Sequence, residues 1–141
     1  MIREADLEDI KIIQSIARIT WPIAFREILS ESQISYMLEM MYSNRALTEQ
    51  IDLLRHRYLL AYEEKKKPEC PSGLYTGYLS YELNYNNVNK TKIHKIYILP
   101  QYQGCGYGKA LIQEVKKIAL SNGNLSLTLN VNRNNNAIDF Y

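Results

Sequence analysis

A strand, a glycine-rich turn and a helix follow one another between residues 93 and 119, and this order limits the folds open to the chain. β-Branched and aromatic residues before Pro100 predict a strand. Residues 103–108, QGCGYG, predict a tight turn, after which Leu111, Val115 and Ile118 repeat at helical spacing. Because the first N–H groups of a helix lack internal partners and carry the positive end of its dipole, this turn predicts an anion site.

Several kinds of loop can be compared with this turn. A Walker loop needs Ser or Thr after its lysine, whereas Lys109 precedes Ala110 and the glycine spacing differs. A dinucleotide loop opens the first strand–helix unit and is followed about 20 residues later by an acidic residue, and this turn meets neither condition. A sharp corner without a ligand is the structural alternative. The pattern Q/R-x-x-G-x-G/A remains, and Gln103, Gly106 and Gly108 fit it without a gap.

That pattern resembles the coenzyme A pyrophosphate loop of the GCN5-related N-acetyltransferases (GNAT), and two further segments extend the resemblance. Residues 97–104 resemble the fourth strand of the family and its exit. Asn134, Ala137 and the pair Phe140-Tyr141 resemble its N-x-x-A-x-x-F-Y motif, which follows the fifth strand. The elements between these segments also occur in the family's order.

The resemblance implies a fold of the α/β (α+β) class, with a central mixed, mostly antiparallel, twisted sheet and helices on both faces. Residues 1–141 are expected to form one such domain, which suits the length of the chain. Relatives add two strands that this sequence lacks, so the chain is either shortened or completed by a neighbour. Because an uncovered strand edge invites pairing, a homodimer is one expected arrangement.

The amino-acid composition of the chain limits the classes of molecule that it is expected to bind. The net charge of +2, with scattered basic residues, argues against nucleic acid. The absence of long apolar runs and of a signal-peptide layout predicts a cytoplasmic protein with no membrane partner. Cys70 and Cys105 are then expected to be free thiols. Neither these cysteines nor His56 and His94 have metal-site spacing along the chain, so no metal site is predicted.

Capping residues and apolar periodicity predict three helices before the first long strand. Asp6, Ser30 and Ser43 are the expected N-caps. Pro22 is expected to end the first helix, because the residue before a proline is disfavoured in helical geometry. Clean alternation over residues 75–85 predicts a long, half-buried strand.

By the resemblance, the implied activity is direct transfer of the acetyl group of acetyl-CoA (coenzyme A) to a primary amine. The strand at residues 93–98 and the C-terminal motif look most like bacterial spermidine/spermine acetyltransferases, so a polyamine or another small amine is the expected acceptor. A protein N-terminus is the rival acceptor. A catalytically silent acyl-CoA-binding regulatory module is the alternative from another class, and nucleotide binding through the same loop is a third.

The resemblance also assigns roles to individual residues. Backbone groups of three strand residues are expected to hold the pantetheine arm, while the glycine turn cradles the pyrophosphate. The expected cofactor contacts are Ile96, Tyr97, Ile98, Gln103, Gly104, Cys105, Gly106, Tyr107, Gly108, Lys109 and Asn134.

Tyr141 matches the family's usual proton donor to the coenzyme A thiolate. Some relatives carry a catalytic glutamate where this chain has Asn130, so the general base must lie elsewhere. His94 and Glu82 are the nearest titratable candidates, and His94 has the better pKa for a base. An ordered water, or no dedicated base, is the alternative.

The acceptor cleft is expected between the first helices and the sheet. The candidate acceptor contacts are Trp21, Phe25, Tyr36, Met40 and Glu82, each of which could instead serve only the core or the surface. Glu27, Glu31 and Glu39 would join Glu82 in an acidic cleft suited to a polyamine.

Overall fold

The computed structural model describes residues 1–63 and 74–129. In this part of the chain five strands form one sheet in the order β1-β2-β3-β4-β5. They are β1 (Ile2–Glu4), β2 (Arg57–Glu63), β3 (Leu74–Glu82), β4 (Lys90–Ile98) and β5 (Ser126–Leu129). The first three pairings are antiparallel, and β4 and β5 are parallel. The predicted mixed, mostly antiparallel sheet is therefore confirmed.

Four α-helices accompany the sheet: α1 (Ile10–Phe25), α2 (Glu31–Tyr42), α3 (Asn44–Asp52) and α4 (Tyr107–Ser121). The three predicted N-caps are confirmed. Asp6 caps a short 3-10 turn that leads into α1. Ser30 forms a capping box with Gln33, and Ser43 accepts a hydrogen bond from the first turn of α3. Of the helices described, none combines the length and the apolar character that crossing a membrane would require.

Two apolar cores lie on opposite faces of the sheet. On one face α1, α2 and α3 pack against side chains that include Tyr58, Leu60 and Tyr78. On the other face α4 packs against Leu79, Ile96 and other residues of β2, β3 and β4. Helices on both faces are thus confirmed. The half-buried strand predicted over residues 75–85 is wrong in one respect: β3 is buried on both faces, because each face has its own helical layer.

Two predicted boundaries are also wrong. Helix α1 continues through Pro22 to Phe25. The rings of Trp21 and Phe25, one turn apart, lie 4.5 Å from each other, and this contact stabilises the last turn although proline removes one N–H donor. Strand β3 ends at Glu82, because Asn84 takes a left-handed φ of 54° and starts a short 3-10 turn.

A β-bulge interrupts the pairing of β3 with β4. Ser80 lies opposite Lys95, and the next residue, Tyr81, lies opposite Ile93, so His94 is the extra residue on β4. A bulge of this kind directs two consecutive side chains to the same face. Lys95 contacts residues on the face covered by α1, α2 and α3, and His94 lies on that face as well.

Candidate functional site

The glycine turn joins the carboxyl end of β4 to the N-terminus of α4. Gly104 and Gly106 have left-handed φ angles of 80° and 89°. A Cβ built on either glycine would meet no atom within 4 Å. Glycine is therefore favoured here by the left-handed backbone conformation and not by a lack of space for a side chain. Gly106 is the N-cap of α4, and its carbonyl accepts the first helical bond, from Ala110 N at 3.0 Å. The N–H groups of the first turn are therefore available to an anion.

Side chains beside the turn hold it against the sheet. The amide nitrogen of Gln103 donates to the carbonyl of Ile98 at 3.2 Å, which ties the turn to the end of β4. The rings of Tyr102 and Tyr107 meet edge to face at 5.9 Å. Gly108, in the first turn of α4, is buried, whereas Gly104 to Gly106 and Lys109 are exposed. The turn is therefore fixed to the end of β4 on one side, and its backbone from Gly104 to Gly106 is exposed to solvent on the other.

The expected pantetheine segment lies just before this turn. Ile96 and Ile98 point their side chains under α4, while the ring of Tyr97 lies on the opposite face, 6.0 Å from Trp21. Gly77 of β3 lies opposite Ile98, and a Cβ there would stand 2.6 Å from the carbonyl oxygen of Tyr97. The absence of a side chain at Gly77 thus permits the close approach of β3 and β4.

Only some of the candidate acceptor residues lie together. Trp21 is 4% exposed, and its indole N–H donates to the hydroxyl of Tyr42 at 3.1 Å. Phe25 is partly buried against it, so these two side chains form an aromatic cluster with Tyr97. Tyr36 and Met40 are 66% and 52% exposed on α2. The structure gives Trp21 a core position and gives Tyr36 and Met40 surface positions.

A second cluster lies at the other end of the paired strands. Glu82 Oε1 lies 3.0 Å from His94 Nε2 and 3.6 Å from His56 Nε2. The two imidazole rings stack with their centroids 4.1 Å apart and their planes 16° from parallel. Their side chains are only 15% and 17% exposed, with Glu82 at 23%. We call His56, Glu82 and His94 the histidine cluster.

Burial sets the protonation of the histidine cluster. Desolvation lowers the pKa of His56 to about 4, and the repulsion that a protonated His94 would exert acts in the same direction. Desolvation also lowers the pKa of His94, and the hydrogen bond to Glu82 opposes this shift. Both imidazoles are therefore neutral at pH 7. The structure thus joins His94 to Glu82, as a base and its neighbour would be, and adds His56, for which no role was predicted.

Lys95 lies beside the histidine cluster on the same face and is 8% exposed. Its ammonium group donates to Tyr58 Oη at 2.8 Å and to Gln50 Oε1 at 3.0 Å, and it lies 4.3 Å from the ring centre of Tyr42. No carboxylate forms an ion pair with Lys95 among the residues that the structure describes. Desolvation lowers the pKa of Lys95 to about 7.

The aromatic cluster and the histidine cluster are separated along β3. Tyr78 contacts Tyr97, and Glu82 lies four positions further along the strand, which corresponds to about 13 Å at about 3.3 Å per residue. The predicted acceptor residues Trp21 and Glu82 therefore do not line one cleft: Trp21 lies in the aromatic cluster and Glu82 in the histidine cluster. Asn130, Asn134 and Tyr141 lie outside the described residues.

Two cavities adjoin these regions. One of about 450 Å³ lies at the start of β2 and the end of β3, and its lining includes Arg55, His56, Leu83 and Asn84. Another of about 670 Å³ lies between α1 and α2, lined by Lys11, Arg18 and Glu39 among others. The second cavity mixes both signs of charge, so it does not match the acidic cleft expected for a polyamine.

Similarity to known proteins agrees with this geometry. The sequence model of the acetyltransferase (GNAT) family matches residues 17–141. A spermidine N(1)-acetyltransferase of Thermoplasma acidophilum is 26% identical over 148 residues, which cover 99% of this chain and 83% of that protein. The crystal structure of a PaiA N-acetyltransferase from the same organism, in complex with coenzyme A, superposes with a TM-score of 0.83 at 25% identity. The match covers 100% of this chain and 85% of the PaiA chain. A GCN5-related N-acetyltransferase from Rhodopseudomonas palustris has a TM-score of 0.74 at 21% identity, over 99% of this chain and 76% of its own, and this likeness shows the fold alone.

Proposed function

Because the chain belongs to the GNAT family of acetyltransferases, as its motifs indicated and the family match confirms, we propose that it moves the acetyl group of acetyl-CoA to a polyamine. GNAT proteins use acetyl-CoA, and the PaiA structure that covers this whole chain contains coenzyme A. The observation that carries the proposal is the glycine turn, whose left-handed glycines lead directly into the free N–H groups at the start of α4.

The turn is assigned to the pyrophosphate of the cofactor. A pyrophosphate carries negative charge and many acceptor oxygens, which suits several backbone N–H groups at the positive end of a helix dipole. Gln103 fixes the base of the turn to Ile98, so the donors are held in place before the ligand arrives. Lys109, exposed in the first turn of α4, adds a positive charge close to that position.

The pantetheine arm would then run back along β4 beside Ile96, Tyr97 and Ile98. The acceptor nitrogen, once neutral, attacks the thioester carbonyl, so a C–N bond forms and the C–S bond breaks. Backbone N–H groups of β4 are suited to stabilise the oxyanion that develops. The amine gives up one proton, and the coenzyme A thiolate takes one. Tyr141 as donor to the thiolate and His94 as the base stay predictions.

A polyamine acceptor is supported by similarity to the spermidine N(1)-acetyltransferase. The charges of the described residues add little to this support. Glu82 is engaged by the two histidines, and Lys92 and Lys95 lie close to the histidine cluster. The acceptor therefore has to be identified by assay.

The test measures binding and turnover separately. Titration calorimetry with coenzyme A and acetyl-CoA is expected to detect one site per chain. Release of coenzyme A thiol is then followed with spermidine, spermine, amino acids and short peptides as acceptors, and we expect the polyamines to give the highest kcat/KM.

Binding without turnover on any acceptor would favour the silent regulatory module. Turnover on peptides alone would favour acetylation of protein N-termini. Tyr141→Phe is expected to lower kcat with little change in coenzyme A affinity, and unchanged turnover would remove Tyr141 from the mechanism.

A further inference from the structure

We propose that the histidine cluster is a binding site for a divalent transition-metal ion of the Zn²⁺ type, held by His56, Glu82 and His94. The three side chains are far apart in sequence, and each comes from a different stretch of the chain. One ligand atom from each lies within 4.8 Å of the other two. Two imidazoles and one carboxylate are a donor set that zinc commonly uses in proteins.

The distances within the cluster fit a small ion. For zinc bonds of about 2.0–2.2 Å, tetrahedral ligands are separated by about 3.4 Å. The separations of Glu82 Oε1 from the two Nε2 atoms, 3.0 and 3.6 Å, lie on either side of that value. Because the two imidazole planes lie only 16° from parallel, both rings would have to tilt out of their stack before their Nε2 lone pairs could meet at one ion.

Without a cation His56 is the poorly satisfied member of the histidine cluster. Both rings are largely buried and share one carboxylate oxygen, and Nδ1 of His56 is buried without a hydrogen-bond partner. The residue before it, Arg55, has a left-handed φ of 61°, an unfavourable conformation for a residue with a side chain. The fold thus holds His56 against Glu82 and His94 despite these unfavourable local terms, which a metal bond at Nε2 would offset in energy without giving Nδ1 a partner.

The surroundings indicate which ion the site would take. Calcium and magnesium prefer six or more oxygen ligands, whereas the cluster offers a single carboxylate. Lys92 and Lys95 lie nearby and repel any cation, which disfavours ions held by charge alone. Neutral imidazoles form strong bonds with Zn²⁺, Cu²⁺ and Ni²⁺. The cavity of about 450 Å³ that His56 lines leaves room beside that ligand for a water as a fourth ligand.

Binding is tested with the metal alone, on protein that carries no histidine tag and has been treated with a chelator. Titration calorimetry with ZnCl₂ is expected to give one site per chain, whereas MgCl₂ and CaCl₂ give none. Glu82→Gln and the double variant His56→Gln/His94→Gln are each expected to weaken zinc binding by roughly 100-fold or more, since even outer-shell partners are worth roughly 10–100-fold. Glu39→Gln is the control for loss of a carboxylate, and Cys70→Ser/Cys105→Ser is the control for binding by thiols. Both controls should keep the wild-type affinity.

A measurement on the unaltered protein covers the case in which a variant fails to fold. The chain contains only two histidines, so the Hε1–Cε1 region of a histidine-edited NMR spectrum has one signal from each imidazole. Both signals are expected to shift together as ZnCl₂ approaches one equivalent, with no such shift for MgCl₂. Wild-type zinc affinity in folded Glu82→Gln or in the folded double-histidine variant would overturn the proposal. A spectrum in which the signal of either histidine does not shift on addition of ZnCl₂ would also overturn it. A failure of the wild-type protein to bind zinc would do the same.

Discussion

The carboxyl end and the middle of the bulged strand β4 carry two clusters of candidate functional groups that differ in kind. At its carboxyl end the glycine turn offers main-chain N–H groups, and side chains serve mainly to fix the turn, as Gln103 does. In its middle, His94 and Lys95 offer side-chain groups that are largely buried and hydrogen-bonded to residues of neighbouring elements. One strand thus presents exposed main-chain donors at the turn and buried side chains in its middle, and these two kinds of group should respond differently to substitution.

Four predictions test this difference, and the largest concerns the close approach of β3 and β4 beside the glycine turn. Gly77→Ala would place a Cβ 2.5 Å from the Ile98 side chain and 2.6 Å from the Tyr97 carbonyl. Because a backbone atom cannot yield as a side chain can, we expect a loss of about 3 kcal/mol in the free energy of unfolding, measured with urea. A loss below about 1 kcal/mol would mean that the strands can separate without penalty.

The second prediction concerns Lys95 and pH. Its pKa of about 7 in the folded protein lies below the ordinary value of 10.5, so the unfolded chain binds more protons between these values. Stability of the wild type should therefore rise with pH above 7, by about 2 kcal/mol up to pH 9, and this rise should be absent in Lys95→Met. Urea unfolding at several pH values, with a chelator present, measures it. Lys109→Met is the exposed control and should keep the rise. Parallel pH profiles of the wild type and Lys95→Met would show that Lys95 stays charged in the fold.

The third prediction separates backbone strain from cofactor binding. Gly106→Ala puts a side chain at φ 89° in the glycine turn, and Gly123→Ala does the same at φ 75° after α4, with open space at both positions. Each should cost about 1 kcal/mol of stability. Only Gly106→Ala should also weaken coenzyme A binding, by about tenfold, because it displaces the N–H groups of the turn. Calorimetry on both variants provides the comparison, and equal affinities would argue that the turn does not hold the cofactor.

The smallest effect is expected at Cys105. Its thiol is exposed on the turn, and its only described hydrogen bond is a long contact of 3.9 Å with the Gln103 carbonyl. If the main chain binds the pyrophosphate, Cys105→Ala should change coenzyme A affinity by less than about twofold, which is about 0.4 kcal/mol. A change of tenfold or more in a calorimetric titration would assign the side chain a direct role.

The sequence predicted the parts of this fold that depend on neighbouring residues. The caps at Asp6, Ser30 and Ser43 and the glycine turn are local patterns, and each lies where it was expected. The continuation of α1 beyond Pro22 was missed because it depends on an aromatic contact that outweighs a local preference. Burial of both faces of β3 was missed because alternation of residue types does not reveal which layers cover a sheet.

The histidine cluster was missed for a related reason. His56, Glu82 and His94 are spaced too widely for any local motif, so their meeting depends on strand register. Arg57 lies opposite Tyr81, which brings His56 to the level of Glu82. His94 reaches the same place only through the extra residue in β4. A register drawn from the hairpin alone would have placed the wrong residues together.

The bulge in β4 also affects how this chain should be compared with its homologues. Removing one residue from the strand near His94 would restore strict alternation and turn either that imidazole or Lys95 toward α4. A homologue could therefore keep all three residues, histidine, glutamate and histidine, and still lack the histidine cluster. Whether the cluster is inherited depends on an insertion of one residue, which an alignment shows as a gap and a count of identical positions does not show.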